Sequence, residues 1–102
     1  MELMTKEIEQ NLPALYSQEH ITDPICNLKF FTPDAGWTWY ILEAEKQVDN
    51  DFLFFCKVIS PIVPEGELGY VKLSELKNVR GSLGLPVERD LYFKPIPISQ
   101  CK

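Results

Sequence analysis

From Cys26 to Phe30 apolar residues alternate with Asn27 and Lys29, the period-two pattern of a strand with one buried face. Phe31 then falls on the other face. A second run starts at Trp37. Trp37, Trp39 and Ile41 share one side while Thr38, Tyr40 and Leu42 share the other, so both faces of this strand carry large apolar groups and both need a cover. Between the two runs Thr32–Gly36 supplies turn chemistry: Pro33 presets φ, Asp34 can bond nearby backbone, and Gly36 tolerates positive φ. The pattern predicts a β-hairpin with a five-residue loop.

Downstream, Gln47–Asp51 reads as a polar turn. Its Asp49-Asn50-Asp51 triplet lacks the glycine and the distal glutamate of a calcium loop. Phe52–Ile59 follows as a third strand, with Phe52, Phe54, Cys56 and Val58 on one face and Leu53, Phe55 and Ile59 on the other. Such a two-sided strand belongs in the middle of a sheet. Pro61 and Pro64 end it, and Glu65-Gly66-Glu67 leads into a fourth strand, Leu68–Leu73. Leu91–Lys94 reads as a last short strand before Pro95 and Pro97.

Two short helices complete the pattern. Thr5 is placed to cap a first helix running to Asn11, with Ile8, Leu12 and Leu15 at helical spacing. Ser74 is placed to cap a second, Glu75–Val79, which Gly81 would stop. The expected fold is α+β, an antiparallel sheet of four to five strands with two short helices on one side, residues 1–102 forming one domain.

Composition narrows the function classes. The chain carries 15 acidic and 10 basic residues, a net charge of −5, which opposes non-specific attraction to phosphate backbones and suits a partner with a basic groove. No apolar run reaches the length of a membrane span, and Glu2, Glu7 and Glu9 do not fit a secretory signal, so a soluble cytoplasmic protein is expected. The three cysteines show no paired spacing. Cys26 and Cys56 fall in phase with buried strand positions, and Cys101 is expected to be free at the tail, open to adventitious dimers. No metal or cofactor is expected.

Candidate chemistry is sparse. His20, the sole histidine, sits in the polar Ser17–Pro24 stretch, and an enzyme would have to bring it together with Glu88 or Asp90. Trp39 reads as core and Trp37 lies at the exposed turn end; aromatic residues there can also stack on bases or anchor a partner. Arg80-Gly81-Ser82-Leu83-Gly84 has glycines that turn geometry alone accounts for, beside a basic residue. Glu88 and Asp90 flank Arg89 in a trio that reads either as an ion-paired loop or as an interface anchor. Trp37, Tyr40, Arg80, Glu88, Arg89 and Asp90 are therefore the candidate binding residues.

Several blocks carry a resemblance: Phe30-Phe31-Thr32-Pro33-Asp34, Trp37-Thr38-Trp39-Tyr40, Leu68-Gly69-Tyr70, Leu73-Ser74-Glu75-Leu76, Gly84–Asp90 and Phe93-Lys94-Pro95. In this order and spacing the chain resembles a small domain-of-unknown-function family of plasmids, conjugative elements and phages, one branch of which comprises anti-CRISPR proteins that block type II-A Cas9. The resemblance implies a non-enzymatic inhibitor that binds the Cas9 effector or its target DNA, as a monomer or weak dimer. A nucleic-acid-binding accessory domain of a mobile element is the alternative. No strongly acidic stripe appears, so DNA mimicry is not part of the expectation.

Overall fold

A computed structural model describes residues 1–102. Helix α1, Lys6–Asn11, begins where Thr5 leaves the extended region and its Oγ1 accepts the Ile8 N–H at 3.1 Å. Strands β1 (Ile25–Cys26), β2 (Leu28–Phe31), β3 (Thr38–Lys46), β4 (Phe52–Ile59) and β5 (Glu67–Lys72) follow. They lead into helix α2 (Leu73–Asn78), then β6 (Glu88–Arg89) and β7 (Ile96–Pro97). Five strands form one antiparallel sheet in the order β5-β4-β3-β2-β6, and β1 pairs with β7 in a separate two-stranded ribbon. The α+β class and the number of strands agree with the sequence pattern. No helix is long and apolar enough to cross a membrane.

The sheet is covered on both faces, as the two-sided strands require. On one face Phe30, Trp39, Ile41, Phe54 and Cys56 pack with Leu73 and Leu76 of α2 and with Leu3, and Ile8 and Leu12 of the α1 region lie against them. On the other face Tyr40 and Leu42 pack with Cys26 and Cys101, flanked by Phe93, Ile96 and Ile98 of the C-terminal segment. Fully burying side chains of this size contributes roughly 1.5–3 kcal/mol each, so the two clusters are the main source of stability.

Register explains two departures from the simple alternation. The first strand breaks at Asn27, whose N–H donates to Ile41 O at 2.9 Å; beyond the break Cys26 joins the cluster opposite to that of Leu28 and Phe30. Pairing of β3 with β4 shifts between Ile41 and Glu43, leaving Leu42 as an extra residue in a β-bulge. Glu43 is thereby paired with Phe55, on the face of Tyr40 and Leu42, although plain alternation would send it among the helix-face side chains.

Other expectations need correction. Helix α2 spans Leu73–Asn78, two residues earlier than expected at its start. Glu75 accepts the Lys72 N–H at 2.8 Å, while Ser74 gives both its N–H and its hydroxyl to Asp51 and caps nothing. The helix ends before Gly81, with Val79 at its C-terminal boundary. Leu91–Lys94 is a turn: the Tyr92 N–H donates to Asp90 Oδ1, and the strands lie on either side, at Glu88–Arg89 and Ile96–Pro97. Cys101 is a free thiol, as expected, but it is wholly buried beside Cys26 and not open to adventitious dimers. A fully buried thiol cannot reach another molecule's cysteine.

Candidate functional site

Three loops meet at the end of the sheet where β2 turns into β3. In the first, the Thr32 N–H donates to Trp37 O, and Thr32 Oγ1 accepts the Trp37 N–H, both at 2.9 Å. This closes the loop and leaves Asp34 projecting toward the Gly81–Leu85 segment. There Asp34 Oδ2 accepts the Leu83 N–H at 2.8 Å, and the Ser82 hydroxyl reaches Asp34 O at 3.4 Å. Gly36, at φ +73°, lies against Pro61 of the third loop; a Cβ on it would stand 3.3 Å from the proline ring. Two adjoining turns thus brace the hairpin tip.

The Asp34 clasp is tight. Its Oδ1 is buried without a hydrogen-bond partner, and the carboxylate sits against the bare Cα of Gly81. Gly81 does not have positive φ, so it is there for close approach and not for turn conformation. The apolar tips of the flanking loops face outward: Ile62 is 80% exposed and Leu83 77%. Each flanks the hairpin tip on its own loop, Ile62 next to the Pro61 that meets Gly36 and Leu83 on the segment that Asp34 holds.

Of the candidate residues, the structure brings the Trp37 turn and the Arg80–Gly84 loop together through Asp34. Trp37 is half-buried, its ring stacked on that of Trp39 with centroids 5.9 Å apart, and Trp39 is buried in the core as expected. Arg80 is exposed; its Nη1 donates to Lys77 O and Val79 O, closing the C-terminal end of α2. The remaining guanidinium N–H groups are available to a partner. Arg80 also borders an open groove of about 700 Å³ on the helix face, shared with Lys6, Lys46 and Lys77; Glu9 neutralises Lys46 at 3.3 Å.

The remaining candidates play other parts. Tyr40 is buried, with its hydroxyl donating to Lys102 O at 3.1 Å and its ring tilted against Phe93, so it is a core residue and not a surface contact. Arg89 pairs with neither acidic neighbour. Its Nη1 donates to Glu2 O at 2.8 Å and Leu3 O at 3.3 Å, strapping the N-terminal segment across β6. Asp90 instead faces Lys29 at 3.7 Å, and Glu88 sits opposite Phe31. His20 is exposed and forms no hydrogen bond or ion pair with either carboxylate. Nowhere do three His, Cys, Asp or Glu side chains converge as a metal site needs.

Sequence reasoning missed Asp34 and Glu43. Asp34 was legible only as a turn residue, since its partner lies 49 positions away. Glu43 is nearly fully buried, and its two carboxylate oxygens accept the N–H groups of Tyr16 and Gln18, each at 2.8 Å.

Fold and site together define a small α+β protein, one antiparallel sheet between helices and a C-terminal cover, with a loop-built surface at one end. The chain belongs to DUF2958, a family of proteins of unknown function, whose model matches residues 3–100. Neither the curated proteins nor the solved structures contain a match to it.

Proposed function

We propose that this protein is a non-enzymatic inhibitor encoded by a mobile genetic element, and that it acts on type II-A Cas9 by binding the effector. The observation that carries the proposal is the Asp34 clasp, which joins the hairpin tip to the Gly81–Leu85 loop so that Leu83, Ile62 and Arg80 are presented on a pre-formed surface. Pre-organised loops lose little entropy on docking, arginine is a favoured interface anchor, and the exposed aliphatic tips add apolar area. The net charge of −5 favours a basic effector over bare DNA as the partner. The choice of effector rests on the family resemblance of the Phe30–Tyr40 and Gly84–Asp90 blocks, one branch of that family being taken to comprise anti-CRISPR proteins.

The test is in-vitro DNA cleavage by a type II-A Cas9 with increasing amounts of the protein, beside a gel shift of the target DNA with the protein alone. Inhibition near equal stoichiometry with no shift is the expected result, lost in Leu83→Glu and Arg80→Glu. A matching shift would move the action to the DNA and favour the accessory-domain reading. Undiminished cleavage at large excess would refute inhibition of that effector.

A further inference from the structure

A second feature lies on the opposite face of the sheet, away from the loop-built end. There a groove of about 420 Å³ opens between the Tyr16–Pro24 segment and the edge strand β5. Leu42 and Phe55 line its inner part, and Tyr16 and Tyr70 are exposed at its mouth. The Phe55 and Tyr70 rings, both lining the groove, are 5.1 Å apart and tilted by 45°. None of the residues around it is basic, and two, Glu19 and Glu43, are acidic.

Glu43 is the unusual member. It is 4% exposed and has no cationic partner; its carboxylate is met only by the amides of Tyr16 and Gln18. A carboxylate withdrawn from water normally has an opposite charge beside it. The nearby Lys57, on the same sheet face, is already committed, its Nζ donating to Cys101 O at 2.8 Å. The bulge at Leu42 brings Glu43 onto this face, and Tyr16 takes up φ +68°, a left-handed conformation uncommon for a tyrosine, where its N–H meets the carboxylate. At the mouth, the Tyr70 phenol is pushed up from its ordinary value, first by the Tyr16 hydroxyl and then by burial, with Glu43 and Glu19 adding to the shift. The charged residues that line the groove are thus both acidic.

Aromatic faces attract cations, a low-dielectric wall strengthens the field of Glu43, and the apolar lining suits an alkyl stem. We infer that the groove accepts an ammonium or guanidinium group on an apolar stem, with Glu43 as the counter-charge and Tyr16, Phe55 and Tyr70 as the aromatic wall. This assignment is independent of the proposed action on Cas9. Such a cation can be a free organic amine or a lysine or arginine side chain of a protein. The outer edge of β5 is unpaired, and an extended chain added there would place alternate side chains on the face of Leu68 and Tyr70.

The experiment is a titration of the isotope-labelled protein, followed by its amide resonances, with n-butylguanidinium, n-butylammonium and neutral n-butanol. The expected result is saturable shifts at Tyr16, Gln18, Glu43 and Tyr70 with both cations and none with butanol. Tyr70→Leu, an exposed substitution that spares the core, weakens cation binding about tenfold. Glu43→Gln removes the charge at constant size and abolishes the preference for cations over butanol. Absence of saturable shifts, equal response to butanol, or unchanged affinity in folded Tyr70→Leu would each overturn the assignment. A five-residue extended peptide with a central arginine separates the sources. Binding at least about tenfold tighter than n-butylguanidinium, with shifts along β5, supports a protein side chain, and equal affinity supports a free amine.

Discussion

Asp34 and Gly81 fit together only because residue 81 has no side chain: a Cβ there would fall on the Asp34 carboxylate. The same carboxylate accepts the Leu83 N–H, so one contact both demands a glycine and fixes the loop that follows it. Gly81→Ala is expected to cost about 1–3 kcal/mol, as steric insertions at close contacts do. In the Asp34→Ala background the added methyl has room. The double variant should therefore lose at least about 0.5 kcal/mol less than the sum of the single costs. Urea unfolding of the four proteins measures this, and strictly additive costs would show that the two residues do not interact.

The three thiols should make the protein sensitive to alkali. Burial pushes Cys56 from its ordinary value of 9.0 up to about 12, and burial likewise raises Cys26 and Cys101. Tyr40 is raised too, by burial first and then by the neighbouring thiols. Below pH 9 both folded and unfolded chains hold the thiol protons, and this stabilisation is fully present. Above it the unfolded chain releases them while folded Cys56 and Cys26 hold theirs, so unfolding becomes easier by about 1.4 kcal/mol per pH unit for each of these two thiols, with Cys101 adding in the same direction. Unfolding free energies between pH 8 and pH 11 test the slope. Cys56→Ala should lower stability at neutral pH and flatten the alkaline fall by about one proton; an unchanged slope would mean that Cys56 ionises in the folded state.

How much of this could be read in advance depended on where the partners lie in the chain. The limits of β4 and of α1, and the split of Trp39 from Tyr40 onto opposite faces, follow from local alternation and a local cap, and the structure has them. The phase reset at Asn27 and the bulge at Leu42 are set by neighbouring strands, so Cys26 and Glu43 face the side that simple alternation denies them. Cys101, next to last in the chain, reads as a free thiol open to dimers; it is free but buried. It is buried because Asp23 grips Ser99, accepting its N–H at 3.0 Å and its hydroxyl at 2.7 Å, and folds the tail back over the sheet. The candidate site was legible in its pieces, Trp37 and the Arg80–Gly84 loop, but not in the carboxylate that joins them.

Arg89 illustrates a charge whose part is mechanical. Its guanidinium holds two backbone carbonyls of the N-terminal segment, and Leu3 between them is part of the core. Arg89→Lys keeps the charge but loses the Nη1 group that meets both carbonyls. Its expected cost is about 1–2 kcal/mol, with faster amide exchange confined to the first turn of α1 and the residues before it. Under the proposed function, inhibition of Cas9 should persist in this variant, because Arg89 does not belong to the clasped loops. Loss of inhibition in a folded Arg89→Lys protein would put the N-terminal segment in the interface.

The grip of Asp23 on Ser99 is repeated beside the β3–β4 turn, where Asp51 takes the N–H of Ser74 at 3.0 Å and its hydroxyl at 2.7 Å. Hydrogen bonds from serine hold both aspartates below their ordinary value of 3.8, the Ser99 hydroxyl acting first on Asp23 and the Ser74 hydroxyl first on Asp51. Because the folded values are depressed, the stabilisation is present above pH 3.8 and is lost as the pH falls through them. The C-terminal cover and the start of α2 should therefore loosen together in acid. Exposure of Cys101 to a thiol reagent that works at low pH reports the first event, and amide exchange at Ser74 and Glu75 reports the second. Asp23→Asn should expose Cys101 already at neutral pH and leave α2 protected, and Asp51→Asn should do the reverse. If either variant loosened both regions, the two grips would be parts of one cooperative unit and not separate latches.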